Sequence, residues 1–391
     1  MGATIVLSAF DVLQFPQGGG HFSAYLQYAY GLRAAGCDVW WLERMNAGDD
    51  PAAGRRRAAA LSARLGGVGL PDRLIVYTGK CDRERGYLTM EAAAAEAVLA
   101  RADLLLNFNY EVDPELLARF RRTALFDIDP GLLQLWMHQG DLTVPPHELY
   151  FTTGDTVGTA AARFPSGGFD WIHIRPPVSL EHWPVASEEA RAEFTTVSSW
   201  WSDEWAIEAD GSGWYENSKR ASFIDYLALP ELSGVPLELA LNVDDGERED
   251  VEMLERHGWR VRRAEAVVPT PADYRRYVQS SAGEFSCAKP SCMHLQNAWV
   301  SDRTICYLAS GRPAVVQHTG PSESLDGGRG ILRFSTLEQA AEALHSVRTD
   351  YKSHRAAARE VAETYFDARK VAATILDAAL AMPDPSRAVD G

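Results

Sequence analysis

Residues Trp299-Val-Ser-Asp-Arg-Thr-Ile-Cys-Tyr-Leu-Ala-Ser-Gly-Arg-Pro-Ala-Val-Val-Gln-His-Thr-Gly-Pro-Ser322 carry a helix, a glycine stop, a buried strand and a polar turn in succession. Asp302 and Arg303 stand at the first turn of a helix over 301–309, and Gly311 ends it because glycine accepts a left-handed cap. Pro313 opens a buried strand over 314–317, and Thr319-Gly-Pro-Ser322 turns into another polar start. Just upstream, Ser281-Ala-Gly-Glu-Phe-Ser-Cys-Ala-Lys289 reads as the preceding strand, 283–287. A strand followed by a glycine turn leaves backbone N–H groups where a diphosphate could sit. One such contact is worth only about 0.3–1 kcal/mol when exposed, so several donors must converge. Taken alone, an ordinary connection with a capping glycine reads the same way.

The alternation continues outward. In the first half, a strand over 4–10 leads through Gly18-Gly-Gly20 into a helix over 21–35, closed by Gly36, and a strand over 38–43. Short apolar runs follow at 73–77, 103–108, 123–127 and 148–152, with alanine-rich helical stretches between them. After Pro176-Pro177 and a polar stretch, a second series has strands at 195–200, 237–241, 259–262, 283–287 and 314–317. Helical patterns at 217–228, 247–257, 301–309 and 337–347 separate them, and further long helical patterns run from 351 to 381 before a polar tail. Strands alternating with helices predict parallel, doubly wound sheets. The fold class is therefore α/β, two Rossmann-like domains: 1–178, a linker over 179–193, and 194–365, with 366–391 as a last helix and tail. Ligands bind beyond the carboxyl ends of parallel strands, so two such edges face each other across one cleft.

Composition limits the partners. A chain of 391 residues exceeds one ordinary core. Its net charge is 38 − 54 = −16, which repels phosphate backbones, and no Lys/Arg stripe offsets it. Nucleic acid and anionic membranes are poor partner expectations. No apolar run approaches the roughly 20 residues of a membrane helix, and the start has no basic lead-in to make a signal peptide. Cysteines 37, 81, 287, 292 and 306 offer no zinc-like double pair and suit reduced thiols in a cytoplasmic protein. Asp127-Ile-Asp129 has the spacing of a metal pair but lies in the half away from the diphosphate turn, so no metal and no cofactor are expected.

The step Gly311-Arg-Pro-Ala-Val-Val316 and the turn Thr319-Gly320 resemble the nucleotide-sugar half of GT-B glycosyltransferases. The resemblance implies a nucleoside-diphosphate sugar as co-substrate, a donor site in the second domain and an acceptor site in the first. It also implies a last helix that crosses back onto the first domain. In retaining members two glutamates stand eight positions apart here; this chain has Ala298 and Cys306 at those places, and Asp302 is the candidate replacement for the ribose contact. The resemblance assigns diphosphate neutralisation to Lys219, with Arg220 beside it, or to Lys289, and donor contacts to Arg303, Thr319, Gly320 and Ser322. Each has a plainer reading: solvated lysine, first-turn acid or turn residue.

Glu284, between Gly283 and an apolar strand, could accept hydrogen bonds from donor hydroxyls or act as acid or base. A salt bridge to Lys289 or Arg303 is its plainer reading. In Gln17-Gly-Gly-Gly-His21, glycines 18, 19 and 20 let backbone approach a ligand, and His21 stands at the helix start. Inverting GT-B enzymes often carry a catalytic histidine in this loop. It would need an orienting carboxylate, for which Asp127 and Asp129 are available. A helix-start residue without catalytic role is the alternative. Trp200, Trp201, Trp205 and Trp214, with Tyr274 and Tyr277, supply aromatics of which one or two could stack on ligand.

The expected activity is transfer of a sugar to a small-molecule acceptor, such as a secondary metabolite, with a homodimer allowed for. The rivals are a non-catalytic GT-B relative that activates a partner, a sugar-nucleotide 2-epimerase and an NAD(P)-dependent oxidoreductase. The last is disfavoured because the Gly-x-Gly-x-x-Gly pattern from Gly18 meets Ser23 at its final position.

Overall fold

Ile5, Val6 and Leu7 of β1 (Thr4–Ser8) are fully buried, and they feed two different clusters. Ile5 and Leu7 face one cluster and Val6 the other, because strand side chains alternate between faces. An unbroken apolar run with both faces covered belongs at the centre of a parallel sheet. The computed structural model describes residues 2–381 apart from 16–17, 47, 80, 203–204, 208–210, 323–324 and 326. Gln17 and the tail over 382–391 lie outside the described residues, as does the Trp205 side chain.

The first sheet adds β2 (Asp38–Arg44), β3 (Leu74–Thr78), β4 (Gly86–Tyr87), β5 (Leu104–Asn107), β6 (Thr123–Asp127), β7 (Leu149–Thr152) and β8 (Trp171–His173). Its order is β4-β3-β2-β1-β5-β6-β7-β8, and only β4 is antiparallel. The chain winds away from β1 in both directions, so the switch point lies between β1 and β5. After β9 (Phe194–Ser199) come a hairpin of β10 (Trp205–Ile207) and β11 (Trp214–Glu216), then β12 (Leu237–Asn242), β13 (Arg260–Arg263), β14 (Gly283–Ser286), β15 (Ala314–Gln317) and β16 (Ile331–Phe334). The second sheet runs β13-β12-β9-β14-β15-β16, all parallel, with its switch point between β9 and β14.

The strands that sequence patterning does not anticipate are short or polar. β4 has two residues, β8 has no buried residue, β16 carries Arg333, and the hairpin strands have three residues each. The helical patterns over 351–381 part at a defined break. The helix Tyr351–Val361 passes through a wider turn over Ala362–Phe366, and Asp367 then caps the helix Ala368–Leu380 by accepting the Arg369 N–H at 3.0 Å. At that break Val178 donates to Phe366 O at 2.7 Å and accepts from Ala368 N–H at 3.0 Å. Val371, Ala372, Ile375 and Ala379 of the last helix share one buried cluster with Phe22, Leu26 and Ala29 of the helix Gly19–Ala34. Among the described residues no helix is long and apolar enough to cross a membrane.

Candidate active site

The loop after β1 is held from beneath. Glu43, at the end of β2 and 1% exposed, accepts the Trp41 indole N–H at 2.9 Å and the Leu13 N–H at 3.4 Å. Burial pushes its carboxyl up to about 8. The same loop turns the Phe10 carbonyl onto His21, 2.7 Å from Nε2. A carbonyl only accepts, so the proton sits on Nε2 and Nδ1 keeps the lone pair. Burial lowers the His21 pKa, against the opposing pull of the Phe10 carbonyl, Asp302 and Asp11. His21 is thus a neutral imidazole at neutral pH, and its Nδ1 has no hydrogen-bond partner among the described residues.

His21 lines a cavity of about 310 Å³. Phe15 and Gly18, Gly19 and Gly20 complete the wall contributed by the first half. Across from them stand the ends of β9 and β12, namely Ser198, Ser199 and Asn242, and the helix start Ser301-Asp-Arg303. Ala264, Glu265, Val268 and Tyr274 close the remaining side. The space therefore lies where the carboxyl ends of the two sheets meet, as the doubly wound rule requires. Ser301 caps the helix Asp302–Ala309 through its Oγ, which accepts the Arg303 N–H at 3.2 Å, and so places Asp302 at the first turn. Burial raises the Asp302 pKa, opposed by Arg303, His21 and Lys219.

A group of cations lies one step further into the second half. Lys219 Nζ donates to Cys287 O at 2.6 Å and sits 5.8 Å from the Trp299 ring centroid. Burial pushes it down to about 7, with Arg303 and Lys289 adding to the effect. Lys219 forms no carboxylate pair among the described residues. A small space of about 20 Å³ at the ends of β14 and β15 is lined by Arg303, Thr319 and Trp299.

Several expected partners are engaged elsewhere. Asp127 does not orient His21: it accepts from Gln134 Nε2 and Thr152 Oγ1, each at 2.8 Å, and burial pushes it up to about 7. Asp129 accepts from the Tyr110 hydroxyl at 3.2 Å. Glu284 is fully buried behind Arg303, 2.6 Å from its Nε, and so takes its plainer reading, a salt bridge, away from the cavity wall. Arg303 also reaches Val197 O at 2.9 Å and Ser286 Oγ. Thr319 Oγ1 donates to Trp299 O at 2.7 Å. Gly320, at φ +139°, lies against Gln296 O and Ala298 N, so the contact that excludes a side chain there is with the chain itself and not with a ligand. Ser322 Oγ bonds Asp155, which pairs with Arg175 at 2.7 Å. Ala298 belongs to the loop before the helix, not to the helix. A Cβ at Gly19 would overlap Val268 O and Thr270 O, and Gly20 abuts Tyr274.

Of the aromatics, Trp200 is core and donates to Asp250 at 2.9 Å, while Tyr277 donates to Glu238 at 2.8 Å. Trp201 and Trp214 are exposed. Among the described residues, the carboxylates close enough to share an ion are Asp82, Asp113 and Glu115, and none of them lines the cavity. Patterning alone misses Phe15, Ser198, Ser199, Asn242 and Glu265. The two serines and Asn242 end parallel strands, which is the signal that could have found them.

No family model and no curated protein matches the chain. Solved structures do. An alpha-glucosyltransferase in complex with UDP and a 13-mer DNA superposes with a TM-score of 0.62 at 11% identity, over 97% of this chain and 100% of that one. HepE from Anabaena, in complex with UDP and glucose, gives 0.56 at 12% identity over 98% and 100%. AviGT4, a glycosyltransferase involved in avilamycin A biosynthesis, gives 0.50 at 12% identity over 97% of each chain. The GT-B resemblance read from about forty residues thus extends over nearly the whole chain as a shared fold.

Proposed function

We propose that this GT-B-fold chain is an inverting, metal-independent glycosyltransferase that moves a sugar from a nucleoside-diphosphate donor to a small-molecule hydroxyl. The observation that supports it is the pairing of a neutral His21 on one cavity wall with Arg303 on the other, backed by buried Lys219 and half-buried Lys289. The donor diphosphate would lie at the carboxyl ends of β9 and β14, the edge occupied by these cations. His21 Nδ1 takes the acceptor proton while the acceptor oxygen bonds to the sugar C1. The bond from C1 to the diphosphate oxygen breaks, and its electron pair leaves with the nucleoside diphosphate. Lys219 stabilises the charge that develops there. The Phe10 carbonyl, which holds the Nε2 proton, takes the orienting part first expected of Asp127 or Asp129, and the charge of Asp302 favours the imidazolium.

Natural-product biosynthesis and a cytoplasmic setting belong to the same proposal. The test is thermal denaturation with UDP, TDP, GDP and NAD(P). A ligand at 100 times its dissociation constant adds about 2.7 kcal/mol, a readily measured shift. Stabilisation by a nucleoside diphosphate but not by NAD(P) is expected. Stabilisation by NAD(P) alone would establish the oxidoreductase instead, and no shift at all would favour the non-catalytic partner.

A further inference from the structure

Two phenylalanines on the His21 loop stand open to solvent: Phe10 is 44% exposed and Phe15 46%. Neither helps the core, and Phe15 lies on the cavity wall with its ring centroid 5.8 Å from that of His21, tilted by 58°. The described part of this wall otherwise holds only glycines and a neutral imidazole. Its charged counterparts, Asp302, Arg303 and Glu265, all come from the second half. A phosphorylated or polynucleotide acceptor needs cations beside the hydroxyl it presents, and the described residues of this wall supply none. A flat apolar face covers exposed aromatic area and gains an offset or edge contact.

We infer that the acceptor is an uncharged planar aromatic alcohol or phenol, stacked on Phe15 so that its hydroxyl meets His21. This rests on the glycosyltransferase reading and adds the acceptor class to it. It also separates this chain from the structural neighbour solved with DNA.

The intact protein is assayed with UDP-glucose, TDP-glucose and GDP-mannose against 2-naphthol, 4-methylumbelliferone and 4-nitrophenol. Glucose 6-phosphate and a single-stranded 13-mer DNA serve as charged acceptors. Transfer to the phenols is expected. Phe15→Ala should raise the KM for the phenol by about tenfold, while Phe15→Tyr, which keeps the ring, holds it within about twofold. Calorimetry of the nucleoside diphosphate should show the same Kd in both variants. An unchanged KM in Phe15→Ala, preference for either charged acceptor, or no phenol transfer by a protein that binds the diphosphate overturns the inference alone. Failure to bind any nucleoside diphosphate overturns the donor site and the inference together.

Discussion

Arg303 and Glu284 form a buried ion pair, Nε to Oε1 at 2.6 Å, that joins the first turn of the Asp302–Ala309 helix to β14. The arginine fork also grips Val197 O at the end of β9. Glu284 therefore sets where Arg303 and its neighbour Asp302 stand, without touching the cavity itself. Glu284→Ala leaves a buried guanidinium without its counter-ion, and stability should fall by about 3–5 kcal/mol. Urea denaturation measures this. Wild-type stability combined with lost turnover would return Glu284 to the reacting centre.

His21→Ala should lower turnover by about 10²–10⁴-fold while donor affinity, read by calorimetry, changes little. The pH profile gives a second readout. Burial holds the His21 pKa below its ordinary 6.5. The basic form thus persists below pH 6.5, and the acid limb of kcat/KM should bend at a lower pH than a free histidine would give. Its effect on folding has the matching sign. As pH falls below 6.5 the unfolded chain takes the proton first, so stability is greatest above that point and declines toward the folded pKa. An acid limb that survives in His21→Ala belongs to another group.

Burial brings the Lys219 pKa down to about 7. At about pH 8 it is mostly neutral, and an arriving diphosphate favours the ammonium and restores the charge. Binding UDP at that pH should take up close to one proton. Calorimetry in buffers of different ionisation enthalpy detects it as a buffer-dependent heat. Lys219→Met should remove the uptake, and the same uptake in that variant would assign the proton to another residue.

Gly19 brings the start of its helix against the carbonyls of Val268 and Thr270 in the opposite half. Gly19→Ala forces those groups apart, so the two sheets should separate and the radius of gyration rise in small-angle scattering. An identical scattering profile would show that the helix start adjusts without moving the halves.

Much of this architecture is legible in the sequence because its central strands are runs such as Thr4–Ser8 and Ala314–Gln317, buried on both faces and bounded by turn residues. The candidate site is legible only in part. His21, Asp302 and Arg303 can be singled out because each stands at a helix start, a feature that local sequence marks. What each of them meets depends on contacts between residues far apart in the chain. Asp127 is bonded to Thr152 on the adjacent strand, and Gly320 is packed against Gln296 in a loop whose backbone includes φ values of +52° and +59°. Neither relationship leaves a periodic trace. Phe15 is missed for another reason, since an exposed aromatic and a buried one look alike in sequence.

The last helix has a consequence for synthesis. Residues 371–379 complete a cluster whose other members lie mainly before residue 175. At about 5–20 residues per second, roughly ten to forty seconds separate translation of the first sheet from arrival of its final covering. Throughout that interval Phe22, Leu26 and Ala29 of the Gly19–Ala34 helix lack the last helix that shares their cluster.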